Sequence, residues 1–209
     1  MFWEELTSED FVSAREKAEG VWLPPIGIIE KHGQQLPLAT DMIIGRSVAA
    51  KIAETEPVVI FPYYYIGQIS EAKHVPGTIA VSPELQMKLL SEICEEIHRN
   101  GFDKIVILNS HGGNINFLNY FIQGTLHTKK EYAVYCVSAF ATEEEEKSIA
   151  EKLGTEDLGY HGGNLETAVV MADRNDLVKM DCLEEVGLIN RLRLQHLKNT
   201  YTPIWWYAN

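Results

Sequence analysis

Short β-branched or apolar runs alternate along this chain with stretches of helical periodicity, and that alternation constrains the fold more than any other feature. Strand, helix and strand in succession is the pattern of repeated β-α-β units around a mostly parallel sheet. Strands are expected at Val21–Ile28, Val58–Pro62, Lys104–Asn109 and Tyr132–Ser138. Ahead of the third, Ser82-Pro83-Glu84 joins a capping hydroxyl to a proline suited to the first helical turn. Leu85, Leu89, Ile93 and Ile97 then recur every four residues, which predicts a helix over Pro83–Arg99 stopped at Asn100-Gly101. Further helices are expected at Asp41–Glu54, Ile115–Lys129 and Glu143–Leu153, and from Asn164 through Ala172. The run Glu143–Glu146 reads as the solvated first turn of its helix, where the dipole favours carboxylates.

Composition narrows the function classes. The 209 residues suit one globular domain. Hydrophobic residues at 45% and charged residues at 23% exclude a disordered or fibrous chain. A net charge of −12 repels a duplex phosphate backbone, and no basic patch offsets it, so no nucleic-acid partner is expected. The uncharged stretch Pro57–Ser70 is shorter than the roughly 20 residues of a membrane span and reads as a core strand with its loop. The acidic first ten residues lack the basic start and apolar block of a signal peptide, which points to the cytoplasm and away from any membrane. Cys94, Cys136 and Cys182 show no C-x-x-C spacing and read as buried or half-buried residues. Trp205, Trp206 and Tyr207 stand together, suited to packing on the sheet or to a subunit interface.

The chemistry concentrates where strands end, the edge at which open parallel sheets bind ligands. His32 follows the first strand, His74 lies in the loop after the second, His111 follows the third, and His161 comes after the fourth strand and its helix. Glu30 and His32 are two apart, so on extended backbone both project from one face, a base for a metal ion. Asp41, at the start of the next helix, can fold back after a Gly- and Pro-containing loop and bridge two divalent ions. Asn109-Ser-His111-Gly-Gly-Asn114 and His161-Gly-Gly-Asn-Leu-Glu166-Thr167 each set a histidine beside paired glycines that let backbone pass close to an ion or substrate. No H-E-x-x-H helix is present, so the geometry of zincin proteases is not the source.

These blocks, with Glu30-x-His32-Gly33-x-x-Leu-Pro-Leu-x-x-Asp41 and His74-Val-Pro-Gly-Thr78, resemble the creatininase (creatinine amidohydrolase) family from about Pro25 to Ala168. The resemblance implies a single domain with a three-layer α/β/α fold and a two-metal site that hydrolyses a non-peptide C–N bond in a cyclic amide or formamide. It also implies a homo-oligomer, commonly a hexamer. Carried onto this chain, Glu30, Asp41 and His111 hold one ion, His32 and the bridging Asp41 hold the other, and Glu166 completes the second site or takes a catalytic role. His74, Gly112 and Gly113 fall to substrate binding. Two positions depart from the family pattern. Gly113 stands where creatininases carry a carboxylate ligand, and Gln35 where many relatives have histidine. The chain is also short for the family.

Nitrogen and carboxylate ligands without thiolate suit Zn(II), Mn(II) or Fe(II). A water on such an ion, its pKa lowered toward roughly 7, attacks the substrate carbonyl as hydroxide. The second ion, or backbone N–H groups of Gly112 and Gly113, stabilises the oxyanion, and His161 serves as general acid to the leaving nitrogen, or orients a ligand carboxylate. The alternatives are hydrolysis of another small substrate such as a phosphoester, and a non-catalytic assembly subunit stabilised by its metals.

Overall fold

Pro24 splits the first predicted strand into Val21–Leu23 (β1) and Pro25–Ile26 (β2), because proline has no N–H to give to a ladder. Its carbonyl still accepts from Leu108 N–H at 2.9 Å, so the pairing continues past the break. The other strands of this computed structural model are Val59–Ile60 (β3), Lys104–Asn109 (β4) and Ala133–Ser138 (β5). Every ladder is parallel. β4 runs between β1 and β2 on one side and β5 on the other, and β1 pairs with β3. Trp22 stands opposite Val59 and Ile105, while Asn109 stands opposite Ile26 and Ser138. The structure describes residues 1–155, 158, 161–183, 195–197, 199, 200 and 202. The Trp205-Trp206-Tyr207 cluster lies outside them.

Six α-helices accompany these strands among the described residues: Ser8–Lys17 (α1), Thr40–Thr55 (α2), Pro83–Arg99 (α3), Asn114–Gly124 (α4), Glu143–Leu153 (α5) and Asn164–Arg174 (α6). α3 forms over the predicted span, with the Ser82 hydroxyl accepting from Leu85 N–H. α5 carries a full capping box between Thr142 and Glu145, and in its acidic first turn Glu143, Glu144 and Glu145 are exposed while Glu146 is half-buried. Two helices differ from expectation. α1 is unpredicted, although Thr7 caps it and Phe11, Ala14 and Ala18 supply its apolar face. α4 ends short of Lys129 because the chain tightens into a 3-10 turn at Thr125–His127, where the Thr125 hydroxyl donates to the Ile122 carbonyl.

By compactness the chain divides into two units. Met1–Ile28, Asp41–Gln68 and Val81–Phe140 form the first, which holds the sheet, α1, α3, α4 and nearly all of α2. Ile29–Thr40, Ile69–Ala80 and Ala141–Asn209 form the second, which holds α5 and α6.

Within the first unit, strand alternation builds two cores. Trp22, Ile26, Val59, Ile105 and Ile107 pack with Ala14 of α1, Leu90, Cys94 and Ile97 of α3, and Leu118 and Phe121 of α4. Leu23, Ile60 and Leu108, of opposite parity, pack with Ala49 of α2. Helices on both faces of one parallel sheet make a three-layer α/β/α sandwich, as expected. Trp22 meets Phe61 edge to face with ring centroids 4.6 Å apart.

Burial pushes the Cys94 thiol up to about 12 and raises the neighbouring Tyr64 phenol as well, so both stay neutral core residues at ordinary pH. Cys136 is half-buried, but Cys182 is exposed, contrary to expectation, because it closes a 3-10 turn with no buried face. Of the tyrosines after β3, Tyr64 is buried while Tyr63 and Tyr65 are exposed. Among the described residues no helix is long and apolar enough to cross a membrane.

Ile105 sits fully buried between both neighbouring strands. Ile105→Ala is expected to lower the unfolding free energy by about 2–5 kcal/mol in urea denaturation, the range for deleting a core aliphatic. Leu126→Ala, at an exposed turn, should stay within about 0.5 kcal/mol of the parent in the same assay.

Candidate metal centre

In the first unit, the exits of β2 and β4 bring Asp41 and His111 together. Ser110, next after β4, gives both its N–H and its hydroxyl to the Ile26 carbonyl, at 3.0 and 3.1 Å. Asn109 Oδ1 accepts from His111 N–H at 3.2 Å. The backbone so held carries the buried His111 ring to Asp41, with Nδ1 2.9 Å from Oδ2. Asp41 arrives from the first turn of α2, whose start presses against Gly27. A Cβ on Gly27 would come within 2.6 Å of both the Asp41 carbonyl carbon and Met42 N, so only glycine permits this approach. The second ring nitrogen of His111, Nε2, lies 2.9 Å from the Gln68 carbonyl. A carbonyl only accepts, so Nε2 carries a proton in that bond and Nδ1 is the nitrogen presented to Asp41.

The second unit gathers Glu30, His32, His161 and Glu166. The two-residue spacing of Glu30 and His32 puts Oε1 3.9 Å from Nε2, while His32 Nδ1 faces the Glu30 carbonyl at 3.3 Å. His161 gives its Nε2 proton to the Lys31 carbonyl at 2.7 Å, lies with its ring centroid 4.4 Å from that of His32, and turns Nδ1 to within 3.9 Å of Glu30 Oε1. The ligand atoms that Glu30, His32 and His161 offer all fall within 4.8 Å of one another.

Glu166 enters from the first turn of α6. The N-cap there is Gly163, which has no side chain to cap with, and Glu166 Oε2 reaches back instead to accept from Gly162 N–H at 2.6 Å. That oxygen also lies 3.9 Å from His32 Nε2. On the carbonyl side, Gln35 Nε2 donates to Gly162 at 2.7 Å. Gly162 has φ +65, and a Cβ on it would lie 3.0 Å from the His32 carbonyl carbon. Glu166 and Gln35 therefore clamp, on its N–H and its carbonyl, a residue that must be glycine, and the clamp fixes His161 next to it.

The donor chemistry fits a divalent ion. Glu30, His32 and Asp41 are each 1% exposed, and carboxylates and imidazoles so deeply buried need a partner that compensates their lost hydration. His32, His111 and His161 each face a backbone carbonyl with one ring nitrogen and a carboxylate with the other, the orientation that metal-bound histidines adopt. Gly112 is exposed at the entry to α4, with open space where a Cβ would stand, and Gly113 is that helix's N-cap. His74, in the second unit, is exposed and stands outside the buried group. Three polar residues here have no role in the sequence reading. Gln35 and Asn114 lie inside the quoted motifs, whereas Gln68 acts through its backbone and leaves no signal in the sequence.

The family model described as creatinine amidohydrolase matches residues 4–200. Among curated proteins, the chain is similar to creatinine amidohydrolase of Pseudomonas putida, 25% identical over 194 residues that cover 87% of this chain and 75% of that one. It is 32% identical over 102 residues to the mycofactocin precursor peptide peptidase of Mycolicibacterium smegmatis, covering 46% of this chain and 41% of that one. It is 32% identical over 91 residues to the 2-amino-5-formylamino-6-ribosylaminopyrimidin-4(3H)-one 5'-monophosphate deformylase of Methanobrevibacter smithii, covering 42% and 37%. Among solved structures, a zinc–zinc form of a mutant creatininase superposes with a TM-score of 0.78 at 22% identity, over 97% of this chain and 80% of that one. A manganese creatininase superposes with a TM-score of 0.71 at 22% identity, over 88% and 76%. This chain is a member of the creatininase (creatinine amidohydrolase) family.

Proposed function

We propose that this protein is a metal-dependent amidohydrolase that cleaves a non-peptide C–N bond in a small cyclic amide or formamide. The observation that carries the reading is the shared orientation of His32 and His111, each with one ring nitrogen at a backbone carbonyl and the other at a carboxylate. In this reading the ligands are Asp41 and His111 of the first unit and Glu30, His32 and Glu166 of the second. Glu166 takes the place of the carboxylate that creatininases carry at the position of Gly113, so creatinine itself is not the substrate we propose. The relatives support the bond class, since an amidohydrolase, a deformylase and a peptidase all hydrolyse C–N bonds.

Zn(II), Mn(II) or Fe(II) held there supplies a water acidified toward neutrality and a Lewis acid for the substrate carbonyl. The protein's own groups do the rest. Gly112 and Gly113 present backbone N–H groups at the N-terminus of α4, where the helix dipole favours a developing oxyanion. His161, with Nε2 tied to Lys31 and Nδ1 turned toward Glu30, carries the proton that the departing nitrogen needs. The exposed His74 loop contacts substrate.

Protein purified after growth with Zn, Mn and Fe should contain one or two divalent ions per chain and hydrolyse formamides or cyclic ureides in preference to a generic phosphoester. Asp41→Ala should lose both metal and activity. An empty site in the parent protein overturns the reading. His161→Ala should keep its metals and lose roughly 10²–10⁴ in turnover, the range for a general acid. A parallel fall in metal content would make His161 a ligand instead.

A further inference from the structure

The least explained residue around His111 is Asn114. It is fully buried at the start of α4, and its Oδ1 accepts from Gln68 N–H at 2.9 Å. Its Nδ2 has no partner among the described residues. The amide is therefore used as an acceptor, toward the one residue whose carbonyl takes the Nε2 proton of His111. Both bonds of this chain pass a glycine. A Cβ on Gly67 would stand 2.4 Å from Asn114 Oδ1, and one on Gly113 would stand 2.5 Å from His111 Nε2 and 3.1 Å from the Gln68 oxygen.

We infer that Asn114 is a positioning residue. By holding Gln68, it keeps the Nε2 proton of His111 on the Gln68 carbonyl and turns Nδ1 toward Asp41. A histidine can bind an ion through either nitrogen, and the choice follows from what the other nitrogen touches. In this chain the choice is made by a carbonyl 43 residues away in sequence, itself anchored by a side chain three residues after the histidine. The same geometry explains Gly113. The space beside it is taken by the His111 ring and its bond to Gln68, so a carboxylate at this position would displace His111.

The tautomer claim concerns the metal-free protein, and only its consequence for affinity rests on the function proposed above. Histidine ¹⁵N NMR of the metal-free parent should show His111 protonated at Nε2. Asn114→Leu should mix the tautomers and weaken zinc binding, read by chelator competition, by about 10–100-fold, as for loss of a group that orients a ligand. Asn114→Asp keeps the acceptor and replaces the unused donor, so it should restore the Nε2 signal of His111. Gly67→Ala, which crowds Asn114 Oδ1, should act in the same direction as Asn114→Leu and serves where that variant does not fold. A His111 without a proton on Nε2 in the parent overturns the inference, as does an unchanged Nε2 signal and zinc affinity in Asn114→Leu. A parent that binds none of zinc, manganese and iron but shows the Nε2 proton would sink the proposed function and leave the positioning role standing.

Discussion

Asp41 and His111 stand 2.9 Å apart, nitrogen to oxygen, and both are buried. With the ring's other nitrogen committed as a donor to Gln68, the facing atoms both carry lone pairs. They repel unless a proton or a cation lies between them, and in a low-dielectric interior that repulsion is strong. The first unit is organised around this pair. β2 ends at a glycine so that α2 can begin against it, and Ser110 ties the exit of β4 to the exit of β2. The parallel ladders that align these two exits thereby set the distance between the carboxylate and the imidazole.

The second unit solves the same physical problem with different means. Glu30, His32 and His161 come from loops, and a loop fixes a side chain only if its backbone groups are satisfied. Here they are satisfied locally. Glu30 N–H bonds the Leu38 carbonyl, Ile79 N–H bonds the Ile29 carbonyl, and the Gly162 peptide is held from both ends by Gln35 and Glu166. Glu166 thus stands beside His32 and closes the start of α6, so a change there disturbs local structure and electrostatics together.

Much of this was legible in the sequence, for reasons that differ by element. α3 and α5 are visible because their caps and apolar spacing are local signals. β4 is visible because a buried central strand is a continuous apolar run. α1 was missed because Ala14 and Ala18 are too small to mark a face among charged residues, and its place against Trp22 and Phe102 is decided by packing. The break at Pro24 follows from its missing N–H, yet the continuation of the strand beyond it depends on the carbonyl of Pro24 meeting Leu108. In the site, Glu30, His32, Asp41, His111, His161 and Glu166 were legible because metal chemistry needs those residue types beside strand ends and glycines.

The sequence by itself determined the donor set: which carboxylates and imidazoles the chain offers, in what order, and that no thiolate joins them. Spacing along an extended segment even determined that Glu30 and His32 share a face. Only the tertiary structure decided which nitrogen each histidine presents. That choice depends on the carbonyls of Gln68 and Lys31, 43 and 130 residues away from the rings they orient. A backbone carbonyl has no residue type to read, and its direction exists only once the chain has folded.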